Sequence, residues 1–198
     1  MREDRMVLYR FLGICFTYPS EGFEDVVAKS IELVNTHYSA LNKSGYKITG
    51  IRNLKKGFAE MKNLKLDEWQ GTYTSLFISN FPSTPLHPYE SFYKEGLLVS
   101  ESSDELVQIY RECGLEIFDS KEFPDSITFE MEFASFILEN QDGCLPVFKQ
   151  FFFEHLFSWI YNFFDDLIKY SETPLFYRAL AEIGISFLKK EENLLKGA

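Results

Sequence analysis

The sequence predicts an all-α fold: a single compact helical domain of about ten helices, in two halves joined by a hinge. Three observations support this prediction. Apolar residues recur at helical spacing, prolines and glycines separate those segments, and no segment shows the period-two alternation of a strand. The 198-residue chain is 45% hydrophobic and 17% aromatic, which is enough for one core. We place the N-terminal half at 1–118, the hinge at 119–125 and the C-terminal half at 126–198.

Four helices are predicted at the start of the chain. The first carries an apolar stripe and stops at Pro19; the stripe consists of Val7, Leu8, Phe11, Leu12 and Cys15. Ser20 is expected to cap the second helix, which ends before a polar loop with two glycines at 42–50. A third helix is expected around 51–61, and Asp67 is expected to cap the fourth.

A proline-rich segment at 80–88 interrupts the helical pattern. Its three prolines exclude a helix, because proline lacks an N–H group and restricts the residue before it. The segment leads directly into Tyr89-Glu90-Ser91-Phe92-Tyr93. Helix is expected to resume near Ser103 and to end at Gly114.

The C-terminal half is predicted to contain three helices after a polar connector. Asp125 or Ser126 is expected to cap the first, which ends near an Asp-Gly pair at 142–143. Pro146 is expected to open a long helix that runs to about Tyr170. Thr173, as an N-cap before Pro174, is expected to start the last helix.

Charge and cysteine content limit the partners and the compartment. The net charge of −10 repels phosphate groups, so nucleic acid and anionic membranes are poor partners, whereas a basic partner is favoured. A simpler explanation of the net negative charge, which needs no basic partner, is that repulsion between like-charged molecules keeps the protein soluble. Three widely spaced cysteines without a CxxC pair fit a reducing compartment, and no secretory signal is evident, which predicts a cytoplasmic protein. The most aromatic stretch, 147–168, is broken by charged residues, so no stable membrane insertion is expected.

No pattern typical of catalysis or of metal binding is present in the sequence. The three histidines have no ligand partner at helical spacing, and no glycine-rich phosphate loop or nucleophile motif occurs. Neighbouring carboxylates, such as Asp165 and Asp166, point to different faces of a helix and do not form acid–base pairs. We therefore predict no catalytic residue, no metal and no cofactor, and a protein that is not an enzyme.

The segment from Tyr89 to Tyr93 has two interpretations. Its aromatic rings and its carboxylate suit an apolar peptide with a basic end, because rings offer contact area and a carboxylate pairs with arginine. Alternatively, the rings wedge the start of a helix into the core, which the pattern alone favours because such side chains are usually buried. Glu130, inside an apolar helix, must reach the surface or find a partner.

Several stretches resemble the TorD/DmsD family of redox-enzyme maturation chaperones, whose relatives include the NarJ type. The first is Tyr73-Thr-Ser-Leu-Phe77, the proline loop and Tyr89-Glu-Ser-Phe-Tyr93. The second is Glu122-Phe-Pro-Asp-Ser126 with the helix after it, where Ser126 replaces the family's usual His or Tyr. The third runs from His155-Leu-Phe-Ser-Trp159 to Thr173-Pro-Leu-Phe-Tyr-Arg-Ala-Leu180. The first predicted helix also fits, so the resemblance spans nearly the whole chain.

The resemblance implies a cytoplasmic chaperone that binds the twin-arginine signal peptide, or another segment, of a molybdopterin-dependent oxidoreductase subunit. Such a chaperone assists cofactor loading and prevents premature export. Two guanidinium groups followed by an apolar stretch would complement an acidic, aromatic groove. The alternatives are a guanine-nucleotide-binding or hydrolysing enzyme, and a structural adaptor for a folded subunit. A monomer and a domain-swapped dimer are both compatible with the hinge.

Ten residues are predicted to bind the peptide. Matching positions imply contacts from the proline loop, the hinge and the following helix, with an apolar wall formed by three aromatic residues. The predicted set is Trp69, Tyr73, Phe77, Tyr89, Glu90, Ser91, Tyr93, Pro124, Asp125 and Glu130. For Asp125, a role as helix N-cap and a role in ligand contact both stay open. His155 and Trp159 are expected to support the C-terminal half instead, and Tyr177 and Arg178 to pack or cap.

Overall fold

The computed structural model describes residues 1–117, 122–140 and 147–197. Within these ranges the chain forms nine α-helices with assigned bounds, one π-helical turn and no strand, which confirms the predicted all-α class. The predicted hinge at 119–125 lies only partly within the described residues, and the helix boundaries expected at 142–146 lie outside them. The division into two halves therefore stays a prediction.

The helices follow the order of the apolar segments in the sequence. Their bounds are α1 Arg2–Cys15, α2 Phe23–Lys43, α3 Ile51–Met61, α4 Leu66–Phe77, α5 Glu90–Glu95, α6 Glu101–Glu112, α7 Ile127–Glu139, α8 Phe157–Lys169 and α9 Leu175–Lys196. Residues 147–151 are helical and continue through a π-helical turn, Phe152–Leu156, into α8. The long helix expected after Pro146 is therefore present, with a π-helical interruption.

Two predicted caps in the N-terminal half are wrong. Helix α2 starts after Gly22, whose φ of 79° suits glycine, and Ser20 contributes only its carbonyl oxygen, 3.0 Å from the amide nitrogen of Phe23. Helix α4 starts after Lys65, whose N–H donates to the Glu68 carboxylate at 2.8 Å, so Asp67 already lies inside the helix. In both cases the chain enters the helix without a Ser or Asp side-chain cap.

The starts of α7 and α9 resolve two further expectations. Of the two candidates for α7, Ser126 is the cap, and its hydroxyl accepts a hydrogen bond from the Phe129 N–H at 3.4 Å. Helix α9 begins one residue later than expected, with Pro174 and not Thr173 at the N-cap. Because Ser126 is the cap of α7, the side chain of Asp125 is left for other contacts.

An aromatic core holds the helices together. Helix α1 packs against α2 and α7, α9 packs against α3 and α8, and α5 lies between α6 and α8. Phe16, just after α1, lies with its ring centre within 6.2 Å of those of Phe77, Phe163, Phe164 and Tyr177. Gly57 permits the close contact of α3 with α9, since a Cβ atom there would lie 2.4 Å from the Phe176 amide nitrogen. No described helix is both long enough and apolar enough to cross a membrane.

Candidate functional site

The predicted binding segment folds into the short helix α5, which meets the start of α7. We call residues 89–93 together with 124–126 the corner. An isolated antiparallel bridge pairs Tyr89 with Ser126, and the Ile127 N–H donates to the carbonyl of Pro88 at 2.9 Å. The sequence therefore brings the proline loop and the end of the predicted hinge into direct contact, as a shared site requires.

Glu90 lies inside the corner and is 0% exposed. Its carboxylate accepts a hydrogen bond from Lys94 Nζ at 2.8 Å, and Nδ1 of His155 lies 3.1 Å from it. A buried carboxylate needs such partners, because removing a charge from water is costly unless it is paired. Contact between Glu90 and a ligand stays a prediction, and it would require the corner to open.

Asp125 and Ser91 form a second buried group in the corner. Asp125 Oδ2 accepts the backbone N–H of Ser91 at 2.9 Å, and Oδ1 accepts the hydroxyl of Ser103 at 3.1 Å. The Ser91 hydroxyl in turn accepts the N–H of Val99 at 3.2 Å. These bonds tie the chain before α7 to α5 and α6, which is a structural role that the sequence did not indicate.

Glu130 is the third buried carboxyl group beneath the corner. Its two oxygens accept the indole N–H of Trp159 at 3.0 and 3.2 Å. Burial, together with the nearby negative charge of Glu90, raises the pKa of Glu130 well above its ordinary value, although the hydrogen bond from Trp159 opposes this shift. His155 in the π-helical turn contacts Glu90, and Trp159 in α8 donates to Glu130. Both residues therefore help to attach the corner to these two elements.

We expect the Glu130→Gln variant to fold and to lose less stability than the wild type as pH rises. With a raised pKa in the folded state, the unfolded chain binds fewer protons than the folded one above a pH of about 4.5, so stability falls with increasing pH. Glutamine cannot ionise, and its amide oxygen can still accept the Trp159 N–H. Urea unfolding from about pH 5 to about pH 8 measures the difference. The exposed control Glu60→Gln should keep the wild-type slope, and an unchanged slope in Glu130→Gln would contradict the expectation.

The three aromatic residues predicted to form an apolar wall lie in the core. Trp69, Tyr73 and Phe77 are all buried, and the Tyr73 hydroxyl donates to the carbonyl of Phe16 at 2.9 Å. Their rings pack against core rings such as Phe176 and Tyr177. These residues therefore do not form the open apolar wall that was expected. Helix α4 turns its aromatic face inwards, where burial of these rings stabilises the fold.

The other predicted residues lie at the edge of the corner and reach solvent in part. The Tyr93 hydroxyl donates to Asp166 Oδ2 at 3.0 Å, and the ring of Tyr89 lies 5.4 Å from that of Phe123. The Pro124 carbonyl accepts a hydrogen bond from the Tyr110 hydroxyl at 3.0 Å. Half-buried rings of this kind leave contact area for a partner without any rearrangement of the core.

A groove between α1, α6 and α7 was not predicted from the sequence. Its volume is about 800 Å³, and we call it the α7 groove. It is lined by Arg10, Ile14, Tyr110, Leu115, Glu116, Ile117, Phe129, Glu132, Phe133, Phe136 and Glu139. The spacing of Phe129, Glu132, Phe133 and Phe136 puts them on one face of α7. In the sequence these phenylalanines are only part of an apolar helix, and the interspersed Glu132 is the one sign of an open face.

The α7 groove adjoins the corner and combines apolar surface with negative charge. Tyr110 lines the groove and also hydrogen-bonds to Pro124, so the two regions share a border. Three glutamates and one arginine lie among its apolar lining residues, and Arg10 already pairs with Glu139 at 3.0 Å. Burial raises the pKa of Glu132 above its ordinary value, and Arg10 opposes that shift. Such a surface can accept apolar side chains and a cation together.

A further apolar surface lies at the connection between α5 and α6. Leu97, Leu98 and Val99 are all exposed, and the N–H of Val99 is held by the Ser91 hydroxyl of the corner. Adjacent exposed apolar residues are more informative than scattered ones, because they mark surfaces that can be covered by a partner. They provide a second surface against which the role of the α7 groove can be tested.

Comparisons with known proteins agree with the fold. The chain matches the family described as nitrate reductase delta subunit over residues 47–165, a range that includes the corner and most of the α7 groove. It is similar to a crystal structure from Archaeoglobus fulgidus of a protein assigned as a redox enzyme maturation protein. That similarity has 28% sequence identity and a TM-score of 0.56, and covers 95% of this chain and 93% of the other. No curated protein gave a significant match.

Proposed function

Because the chain belongs to the nitrate reductase delta subunit family and is a redox enzyme maturation protein, we propose that it is a chaperone for an oxidoreductase subunit. In this proposal it acts in the cytoplasm and binds the twin-arginine signal peptide, or another segment, of a molybdopterin-dependent subunit. It holds that segment while the cofactor is loaded and so prevents premature export.

The observation that carries the proposal is the α7 groove. Its volume of about 800 Å³ lies within the usual range of binding pockets, and its lining is mainly apolar with three carboxylates. A twin-arginine peptide presents two guanidinium groups before an apolar stretch, so it is complementary to both parts of this surface. The net charge of −10 adds a field that attracts a basic segment.

A binding experiment with two synthetic peptides tests the proposal. One peptide carries two adjacent arginines followed by an apolar stretch, and in the other both arginines are replaced by glutamine. We expect calorimetry with the purified protein to show binding of the arginine peptide that is at least about tenfold tighter, because charge-assisted hydrogen bonds are lost in the second. Raising the salt concentration should reduce the difference.

Other outcomes would favour the competing functions. Equal affinity for both peptides would contradict recognition of the arginines. Binding of a folded subunit without binding of either peptide would favour a structural adaptor. Turnover of GTP by the purified protein, abolished by a point substitution, would favour an enzyme.

A further inference from the structure

One ion pair separates the α7 groove from a second cavity. That cavity, of about 300 Å³, lies between α1 and α2 near the end of α7, and we call it the α2 cavity. Arg10, Ile14 and Glu139 line both spaces. The Arg10–Glu139 ion pair therefore lies between two parts of one surface that crosses α1.

The Arg10–Glu139 ion pair is weak. The side chains of Arg10 and Glu139 are 55% and 52% exposed, although their nearest atoms lie 3.0 Å apart. An exposed pair of this kind contributes only about 0–1 kcal/mol to stability, because water already solvates both charges. An incoming cation can thus replace Arg10 at Glu139 at little cost to the fold.

A second carboxylate in the α7 groove is available to a cation. Glu132 forms no hydrogen bond with the described residues, yet it lies beside Phe129 and Phe136. Around the two spaces the acidic groups are Glu3, Glu116, Glu132 and Glu139, and the basic ones are Arg10 and His37. His37 already lies 2.8 Å from Asp4, so negative groups outnumber positive ones among the described lining residues.

The walls of this surface also limit the conformation of the occupant. Most of the described lining belongs to helices, whose backbone groups are already hydrogen-bonded within each helix. Such walls offer few partners to the main chain of an extended peptide. A helical segment satisfies its own backbone and presents only side chains, as in other helix-in-groove complexes.

We propose that the α7 groove and the α2 cavity form one channel for an amphipathic helix of the client. One arginine of that helix replaces Arg10 at Glu139, and a second cation pairs with Glu132. The apolar face of the helix covers Phe129 and Phe136. This inference rests on the proposed chaperone function and specifies the conformation of the bound segment and the carboxylates that pair with it.

Arg10 has a distinctive role in this arrangement, since it competes with the client for Glu139. We expect Arg10→Ala to bind an arginine-bearing helix about threefold more tightly than the wild type does. The matched control is Arg52→Ala on α3, which removes the same charge at an exposed position outside both spaces. It separates loss of competition from a change in overall charge.

The probe is a labelled synthetic amphipathic helix of about 18 residues with two arginines on its polar face, and its binding is followed by fluorescence anisotropy. We expect Glu132→Gln and Glu139→Gln each to weaken binding about fivefold to tenfold, and Phe136→Ser to weaken it by a similar factor. Glu60→Gln, exposed on α3, should bind like the wild type, as should Leu98→Ser at the other apolar surface. Circular dichroism verifies that each variant is folded.

The outcomes distinguish the inference from the proposed function. If the wild type binds the helix and the groove variants match Glu60→Gln, the channel is overturned while the chaperone function stands. Equal affinities of Arg10→Ala and Arg52→Ala would overturn the exchange at Glu139. If the twin-arginine peptide binds and the helical probe does not, the helical occupant is wrong. Failure of the wild type to bind either probe would overturn both proposals.

Discussion

Replacing Glu191 by alanine is expected to lower the free energy of unfolding by about 3–5 kcal/mol. Glu191 is fully buried, and its carboxylate accepts hydrogen bonds from Nε and Nη2 of Arg5 at 2.8 and 2.7 Å. It also accepts the hydroxyls of Tyr9 and Tyr46, at 2.9 and 2.5 Å. Burial disfavours the charge on Arg5, but the hydrogen bonds and the charge of Glu191 outweigh it and raise the Arg5 pKa. Without the carboxylate, a guanidinium that is 13% exposed loses its counter-charge.

Thermal unfolding measures this loss, which corresponds to a decrease in Tm on the order of 10 °C for a domain of this size. The neighbouring Glu192→Ala provides the matched control, because Glu192 pairs with the exposed Lys196 one helical turn away, and its loss should cost about 0.5 kcal/mol. The double variant Arg5→Met with Glu191→Met should lose less stability than the sum of the losses in the two single variants Arg5→Met and Glu191→Met. A Glu191→Ala protein as stable as Glu192→Ala would show that the network does not hold α1 to α9.

This network shows which parts of the fold are visible in the sequence. The helices themselves follow from local patterns: the third, expected around 51–61, is observed at Ile51–Met61 because its apolar residues and flanking glycine act over a few positions. The pairing of Arg5 with Glu191 joins residues 186 positions apart. Each belongs to an unremarkable charged stretch, and only the assembled helices bring them together.

The candidate site shows the same division. The family resemblance implied that Glu90 and Asp125 belong to one site, and the two residues are in contact, since the Glu90 N–H donates to the carbonyl of Asp125. The sequence did not reveal that Lys94, His155 and Ser103 already satisfy their carboxylates. Nor did it reveal the α7 groove, since an apolar residue on an open helix face and one in the core look alike in a sequence.

Replacing Asp125 by alanine is expected to lower the free energy of unfolding by about 2–4 kcal/mol. Its carboxylate receives two buried hydrogen bonds, from the Ser91 N–H and the Ser103 hydroxyl, and each donor would lose its partner in the interior. Asp125→Asn keeps one acceptor oxygen and should lose about half as much. Chemical denaturation of both variants measures the loss, with Asp67→Ala on the exposed start of α4 as the control.

Of the two roles that the sequence left open for Asp125, the structure gives the N-cap to Ser126, and the same variants decide whether Asp125 contacts a ligand or holds the corner together. A carboxylate that served chiefly to bind an arginine would be dispensable for folding, so Asp125→Asn would keep its stability and lose affinity for the twin-arginine peptide. If the carboxylate holds the corner together, Asp125→Asn would lose stability. That loss of stability would be smaller in a Ser103→Ala background, where one of the two partners of the carboxylate is already missing. Because Asp125 is wholly buried and both of its oxygens are occupied, we expect the second result, in which the corner is a structural support beside the α7 groove.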